Sequence, residues 1–498
     1  MMKRRFFALL TAILLMVICF GGCGDAVPEG GSAEGPDAPE YVLDTNPEIR
    51  LAYSGSDSMN PFEAEGAINT RLMSLIYDGL FTLDSTYAPQ NALATGCVVG
   101  TESVNVMLDT NAYFSDGTRV KTADIIYSFE EARKAPAYEE RLSNFTSVSS
   151  SNNANLVFTL EEPDPYAQNC LTFPIIKTGS DEEYPIGSGR YCIVKDSGRL
   201  LLSKNPYIKN FNPEITCIEL EEIGDSALAS SSLEIGNTSF SFTDLSSGSY
   251  TRINASNYDV LLNNLVYLGL NGDNEIMRIP AVRQAIGITI DRDNLAKDAY
   301  QGHAKGTVSP FNPSWVNMKG LDTSTDAYGV SAEELLESTG YDFTSFSLSL
   351  LVNVDNVFKA ATAKAIADDL GKIGINVSIM EVHADEYYDY VMKREYDMYI
   401  GEIRLTANMD LTELFRGGSC AYGLKSDMQE LSYDRYIQMR AGECEIMDFV
   451  NTFLQEFPFV PLCYRTGIAS YTNAISCGEV ICNDNDIYSN IESWKKST

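Results

Sequence analysis

A helix that runs into a strand across a single glycine constrains this chain more than any other feature. In VFKAATAKAIADDLGKIG (357–374), Phe358, Ala361, Ala365, Ile366, Leu370 and Ile373 recur at helical spacing, so one helix face is apolar. Gly374 supplies the residue type that commonly ends a helix in a left-handed conformation. INVSI then follows, with Ile375, Val377 and Ile379 alternating as in a strand. Helix then strand at such short range requires helix packed on sheet, the layering of an α/β lobe. A related unit lies upstream: SVNVMLD puts Val104, Val106 and Leu108 on one strand face. TADIIYSFEEARK reads as a helix capped by Thr122, with Asp124 in its positive first turn and Ile125, Ile126, Phe129 and Ala132 as its stripe. No repeat of about 20–50 residues is visible, which sets aside solenoids and propellers.

The 498 residues suffice for about three domains. Lys and Arg number 36 against 69 Asp and Glu, a formal net charge of −33. Phosphate backbones need a basic surface, so nucleic acid is excluded as a partner. Only two histidines occur, His303 and His383. A histidine-based metal centre is therefore not expected, and neither is a cofactor. GxSxG, HExxH and GxxxxGK[ST] are missing, so no catalytic constellation is read. Adjacent acids such as Glu161-Glu162 read as a solvated edge.

The N-terminus reads as an export signal. Lys3, Arg4 and Arg5 precede an apolar run from Phe6 to Phe20, broken only by Thr11 and too short to span a membrane comfortably. Gly21-Gly22-Cys23 resembles the bacterial lipobox, with Phe20 where Leu is usual, and the resemblance implies a diacylated Cys23. GDAVPEGGSAEGPDAPE (24–40) has Val27 as its only large aliphatic residue and reads as a flexible tether. The expected layout begins with a signal peptide over 1–22 and a lipidated tether over 23–46. Eleven cysteines occur, without a CxxC. Cys477 and Cys482 could close a small loop in an oxidising compartment, and the others outside the signal region read as single buried thiols.

Several blocks, in order, resemble the extracytoplasmic solute-binding proteins of the oligopeptide/dipeptide/nickel class (family 5) of ABC importers. They are MNPF (59–62), LIYDGLFTLD (75–84), FSDGTRVKTADIIYSF (114–129), VFTLEEPDPY (157–166), PIGSGRY (185–191) and LSKNPYI (202–208). LVYLGLN (265–271), AVRQAIGITIDRDNL (281–295), LGKIGINVSI (370–379), EYDMYIGE (395–402) and FPFVPLCY (457–464) continue the series. The resemblance implies a two-lobe α/β fold of the periplasmic-binding-protein type (type II) with an extra domain inserted near the N-terminus. Lobe I would combine 47–76, 180–263 and 459–498, the insertion would be 77–179, and lobe II 264–458. PIGSGRY and NNLVYLGLN would be the crossings.

Function follows from the same resemblance: a non-enzymatic lipoprotein that captures a solute, expected to be a peptide or peptide-like, and delivers it to ABC permease subunits. A monomer is expected, anchored outside the cytoplasm by its lipid. The alternatives are a peptide-sensing receptor without a transport role and a secreted carboxylate-dependent hydrolase. A nickel cargo would have to be ligated directly by carboxylates or be taken as a chelate. The implied ligand contacts are Glu65, Gly66 and Ala67 before a helix, Tyr267 beside the second crossing, and Glu402, Ile403, Arg404 and Leu405 at the end of a strand.

That last segment departs from the family pattern. Peptide-binding relatives usually show Gly-Trp there, then an Asp for the ligand's α-amino group. This chain has Gly401-Glu402, then Arg404 and Leu405, and Asp410-Leu411 matches the usual Asp-Pro only loosely. An acid lost and a base gained turn the expectation towards an anionic ligand group held by Arg404. Glu402, two residues away on the same strand face, could instead neutralise Arg404 internally.

Overall fold

The computed structural model describes residues 41–180, 182–224, 226–250, 252–321, 330–416, 428–476 and 483–497. Cys23, the tether up to residue 40 and the Cys477–Cys482 loop lie outside them. Among the described residues, no helix is long and apolar enough to cross a membrane.

One long mixed sheet organises the chain. At its centre β1 (Ser256–Leu270) pairs antiparallel with β2 (Met398–Arg404) on one side and β3 (Val460–Tyr471) on the other. Beyond β2 lie Leu348–Asn353 and Val377–Val382, both parallel. Beyond β3 come Phe240–Thr243, Ile49–Tyr53, Cys217–Glu222, Arg199–Lys204 and Tyr191–Asp196. A separate four-stranded antiparallel sheet has the order Ala94–Val99, Ser103–Leu108, Asn155–Leu160, Phe145–Ser150.

Apolar side chains gather into three cores. The first holds Leu51, Leu72, Ile218, Phe240, Tyr471 and Trp494. The second holds Leu265, Ile286, Phe358, Ile366, Ile400 and Phe449. The third, on the four-stranded sheet, holds Val104, Val106, Phe129, Phe145, Phe158 and Phe173. Among the described residues, the two longest strands are the ones that serve both the first and the second. Along β1, Val260 and Leu262 pack in the first core and Leu265, Leu268 and Leu270 in the second. β3 runs the other way, from Val460, Leu462 and Tyr464 in the second to Ala469 and Tyr471 in the first. The β1–β3 register shifts between Leu261 and Leu265, which bulges the chain at Asn263-Asn264, where it changes core.

The expected crossing at 185–191 lies elsewhere. It forms the seam between the first and third cores, with the Gly189 N–H on the Ile76 carbonyl (2.9 Å) and the Ser115 N–H on the Gly187 carbonyl (2.9 Å). A Cβ on either glycine would run into the Ile76 carbonyl group, so close backbone approach, not a bend between lobes, explains both. The passage between the first and second cores is made by β1 and β3.

Local readings hold with small shifts. Thr122 is the first helical residue rather than the cap, because helix Thr122–Ala132 starts after Lys121. Asp124 accepts the Lys121 N–H (2.9 Å) and the Thr178 N–H (3.0 Å), closing the helix start from its third position. The helix that carries Arg71, α1, spans Ala67–Ile76. The helix read at 357–374 is α2 (Val357–Lys372), capped by the Asn356 side chain, and Gly374 follows at φ +83°. Its buried face is turned slightly from expectation: Ala361 and Ala365 are partly exposed while Thr362 and Ala363 are buried. Thr362 is tolerated inside because its hydroxyl donates to the Phe358 carbonyl (2.8 Å). A further helix, α3 (Glu430–Arg440), packs Tyr436 and Met439 into the second core.

Candidate functional site

Where β1 and β3 change core, charged side chains from both sides converge. Strand alternation on β2 turns Ile403 into the second core, where Leu405 is also buried just past the strand end, and leaves Glu402 and Arg404 on the other face. Ile403 and Leu405, expected as ligand contacts, are corrected to residues whose side chains lie in the core. Even the Leu405 backbone is occupied: its N–H donates to the Asn263 carbonyl (2.9 Å), and its own carbonyl accepts from Asn263 Nδ2 (2.9 Å).

Tyr267 is corrected likewise. It is 2% exposed, with its hydroxyl 3.1 Å from that of Tyr399 and its ring edge-on to Tyr399 and Phe459. Its position on β1 points it into the second core, not towards the crossing.

Glu402 and Arg404 share a face but do not pair with each other. Glu402 accepts from Lys359 Nζ (3.0 Å) of α2, Arg465 Nε (2.5 Å) of β3 and Asn264 Nδ2 (3.0 Å) of the bulge. Burial alone would raise its carboxyl; the Lys359 and Arg465 cations outweigh burial and hold it at about 2. Arg404 instead meets Asp484, with Nη2 to Oδ2 at 2.9 Å. The same oxygen accepts the Asn263 N–H (2.9 Å). The bulge thus aims two asparagines at the end of β2, one fixing its backbone and one its carboxylate.

The 65–67 segment is exposed and held from behind. Asp57 accepts the N–H groups of Glu65 (3.1 Å) and Gly66 (3.0 Å), and Ala67 opens α1. One turn further, on the same helix face, stands Arg71. Its guanidinium lies 4.5 Å from the Phe242 ring centroid, donates to the Phe242 carbonyl (3.2 Å) and comes within 3.7 Å of Asp244. The Asp244 carbonyl in turn accepts from Arg465 Nη1. Asp410, the loose match to an amine anchor, already accepts the Tyr436 hydroxyl (2.7 Å) and the Thr412 N–H (2.8 Å).

Sequence reasoning missed Arg71, Asp244, Lys359, Arg465 and Asp484. One signal was available: Arg465 stands in VPLCYRTGIASY, a strand buried at every residue. A cation there needs a built partner.

Residues 89–415, well over half of the chain, match the family model described as bacterial extracellular solute-binding proteins, family 5. The chain belongs to the family-5 extracellular solute-binding proteins. Among similar proteins, the oligopeptide-binding protein AppA of Bacillus subtilis (strain 168) is 23% identical over 419 residues, covering 76% of each chain. The glutathione-binding protein GsiB of Escherichia coli O6:K15:H31 is 20% identical over 354 residues, covering 67% of this chain and 69% of its own. The crystal structure of the ABC transporter substrate-binding protein CtaP from Listeria monocytogenes aligns at a TM-score of 0.69 and 16% identity, over 90% of this chain and 99% of that one. The two-lobe mixed α/β architecture is thus that of family-5 binding proteins. These are extracytoplasmic, non-enzymatic solute-binding proteins of ABC importers, which sets aside the hydrolase alternative.

Proposed function

We propose that this family-5 protein is the substrate-binding lipoprotein of an ABC importer and takes a peptide or peptide-like solute between its first and second cores. The observation that carries the reading is the charged cluster at the β1–β3 crossing, to which both cores contribute. In this reading lobe I comprises 47–76, 180–263 and 459–498, the insertion 77–179, and lobe II 264–458. The three cores draw on nearly the same segments, which supports the division. Arg404 and Glu402 face the solute from lobe II, and Glu65, Gly66 and Ala67 line the approach from lobe I. The peptide-like class is supported by relatives named for oligopeptide and glutathione binding.

Native mass spectrometry of the purified protein should show a co-purifying mass in the small-peptide range. Solution scattering should show compaction when that solute is returned to stripped protein, because ligand would hold the two lobes together. An unchanged radius at saturation counts against a hinge.

The anchor is a separate part of the proposal. Cys23 carries a diacyl group, and the permease subunits meet a protein tethered beside them. Two acyl chains suffice for stable attachment. Cys23→Ala should move the protein from the membrane fraction to the soluble fraction; equal membrane retention would end the lipoprotein reading.

A further inference from the structure

Arg71 and Arg404 come from opposite cores; Arg71 meets Asp244 and Arg404 meets Asp484, and each guanidinium also feels the other's carboxylate. Arg71 sits on α1 of the first core, and Arg404 ends β2 of the second. Their counter-ions hold them unequally: Asp484 pairs closely enough with Arg404 to push its guanidinium above its ordinary value, and Asp244 holds Arg71 only loosely. Asp244 stands 3.7 Å from Arg71, beyond hydrogen-bond length. Asp484 engages one nitrogen of Arg404, whose side chain stays 52% exposed while that of Asp484 is 5% exposed. That contact uses Nη2 alone, which leaves donors of the Arg404 fork for a second acceptor.

Charge counting points the same way. Among the described residues, the cluster brings together Arg71, Lys359, Arg404 and Arg465 against Asp244, Glu402 and Asp484, an excess of one positive charge. That excess stands in a chain of formal net charge −33, so it is a local choice rather than a reflection of the surface.

We propose that Arg71 and Arg404 form a two-lobe clamp for one carboxylate of the solute, so that the carboxylate both selects the ligand class and links the lobes. This rests on the reading of the crossing as the solute site. A guanidinium holds a carboxylate through two parallel N–H donors, and one donor pair from each lobe makes the anion a bridge. A single carboxylate matches the excess of one charge; a phosphate dianion overshoots it. Burial pushes the Arg71 guanidinium below its ordinary value, and the Arg404 charge pushes the same way against Asp244 and Asp484. Asp244 and Asp484 offset most of the repulsion between the two cations, and a carboxylate between them adds an attraction to each.

The test uses a pool of tri- to pentapeptides with free C-terminal carboxylates and the same pool as C-terminal amides. Each is titrated into full-length wild type, Arg404→Lys and Arg71→Gln, with affinity read by calorimetry and melting temperature. Wild type should bind the acid pool at least tenfold more tightly than the amide pool. Arg404→Lys keeps a cation for Asp484, so the free protein should melt normally, yet its preference for the acid pool should fall severalfold because the fork is gone. Arg71→Gln should lose the preference as well. Equal binding of acid and amide by wild type overturns the clamp while the peptide-like reading stands. Binding of neither pool overturns both. An acid preference that survives in both variants places the carboxylate elsewhere and overturns the clamp.

Discussion

Arg440→Met is expected to lower folding stability by about 3–5 kcal/mol, the range for breaking a buried ion pair from one side. Arg440 ends α3 in the second core, and Asp164 lies beside the third; their side chains are 9% and 2% exposed and meet at 2.7 Å. The rest of the site is built around the pair. Asp164 also accepts from Asn408 Nδ2 (2.7 Å) and the Tyr166 N–H (2.8 Å), while Arg440 Nη1 donates to the Asn408 carbonyl (2.7 Å). Methionine fills much of the volume, so the loss comes from a stranded carboxylate rather than from a cavity.

The stranded charge gives the prediction a pH signature. Burial already pushes the Asp164 carboxyl up against the pull of Arg440 and Asn408, and removing Arg440 leaves burial less opposed. A carboxyl whose folded value lies above its unfolded value, about 3.9, destabilises the fold when ionised. The penalty in Arg440→Met is therefore full at neutral pH and shrinks as pH falls towards 4. Adding Asp164→Asn should recover part of the loss, so that the double variant is more stable than the sum of the singles. Urea titrations of the four proteins at pH 7 and pH 4.5 decide it. A loss below about 1 kcal/mol, or one that ignores pH, shows that the pair does not hold the second and third cores together.

This contact also marks where the sequence stopped being readable. Periodicity placed the strand Ser103–Leu108, the helix over 357–372 and its glycine stop, because those depend on neighbours within a turn or two. Family blocks ordered the segments, and Arg404 and Glu402 were picked out by a departure from pattern. Their partners were not legible. Asp484 lies eighty residues from Arg404, and Lys359 and Arg465 approach Glu402 from a helix and a strand that only the sheet order brings together. Tyr267 misled because a strand tyrosine has two faces, and only the packing of its ring on Tyr399 and Phe459 places it in the second core. PIGSGRY misled because glycines serve bends and close packing alike, and only the Ile76 backbone opposite them separates the two.

Glu402→Gln is expected to cost roughly 3 kcal/mol at pH 7, judged from about 1.4 kcal/mol for each unit by which a folded state lowers a carboxyl. Its carboxyl falls from 4.5 to about 2 although burial opposes the change, because Lys359 and Arg465 bracket it. The amide keeps the shape and can still accept from Asn264, so the difference isolates the charge facing two cations. A depressed folded value gives stability that is fully present above the unfolded value, near 4.3, and is lost as pH falls through the folded one. The gap between wild type and variant should therefore be constant from pH 7 to about 5, narrow below 4 and close towards pH 2. Denaturation midpoints across that range test it directly. A gap that persists unchanged at pH 3 means that Glu402 acts through packing, and Lys359 and Arg465 then have no need of its charge to stay at the crossing.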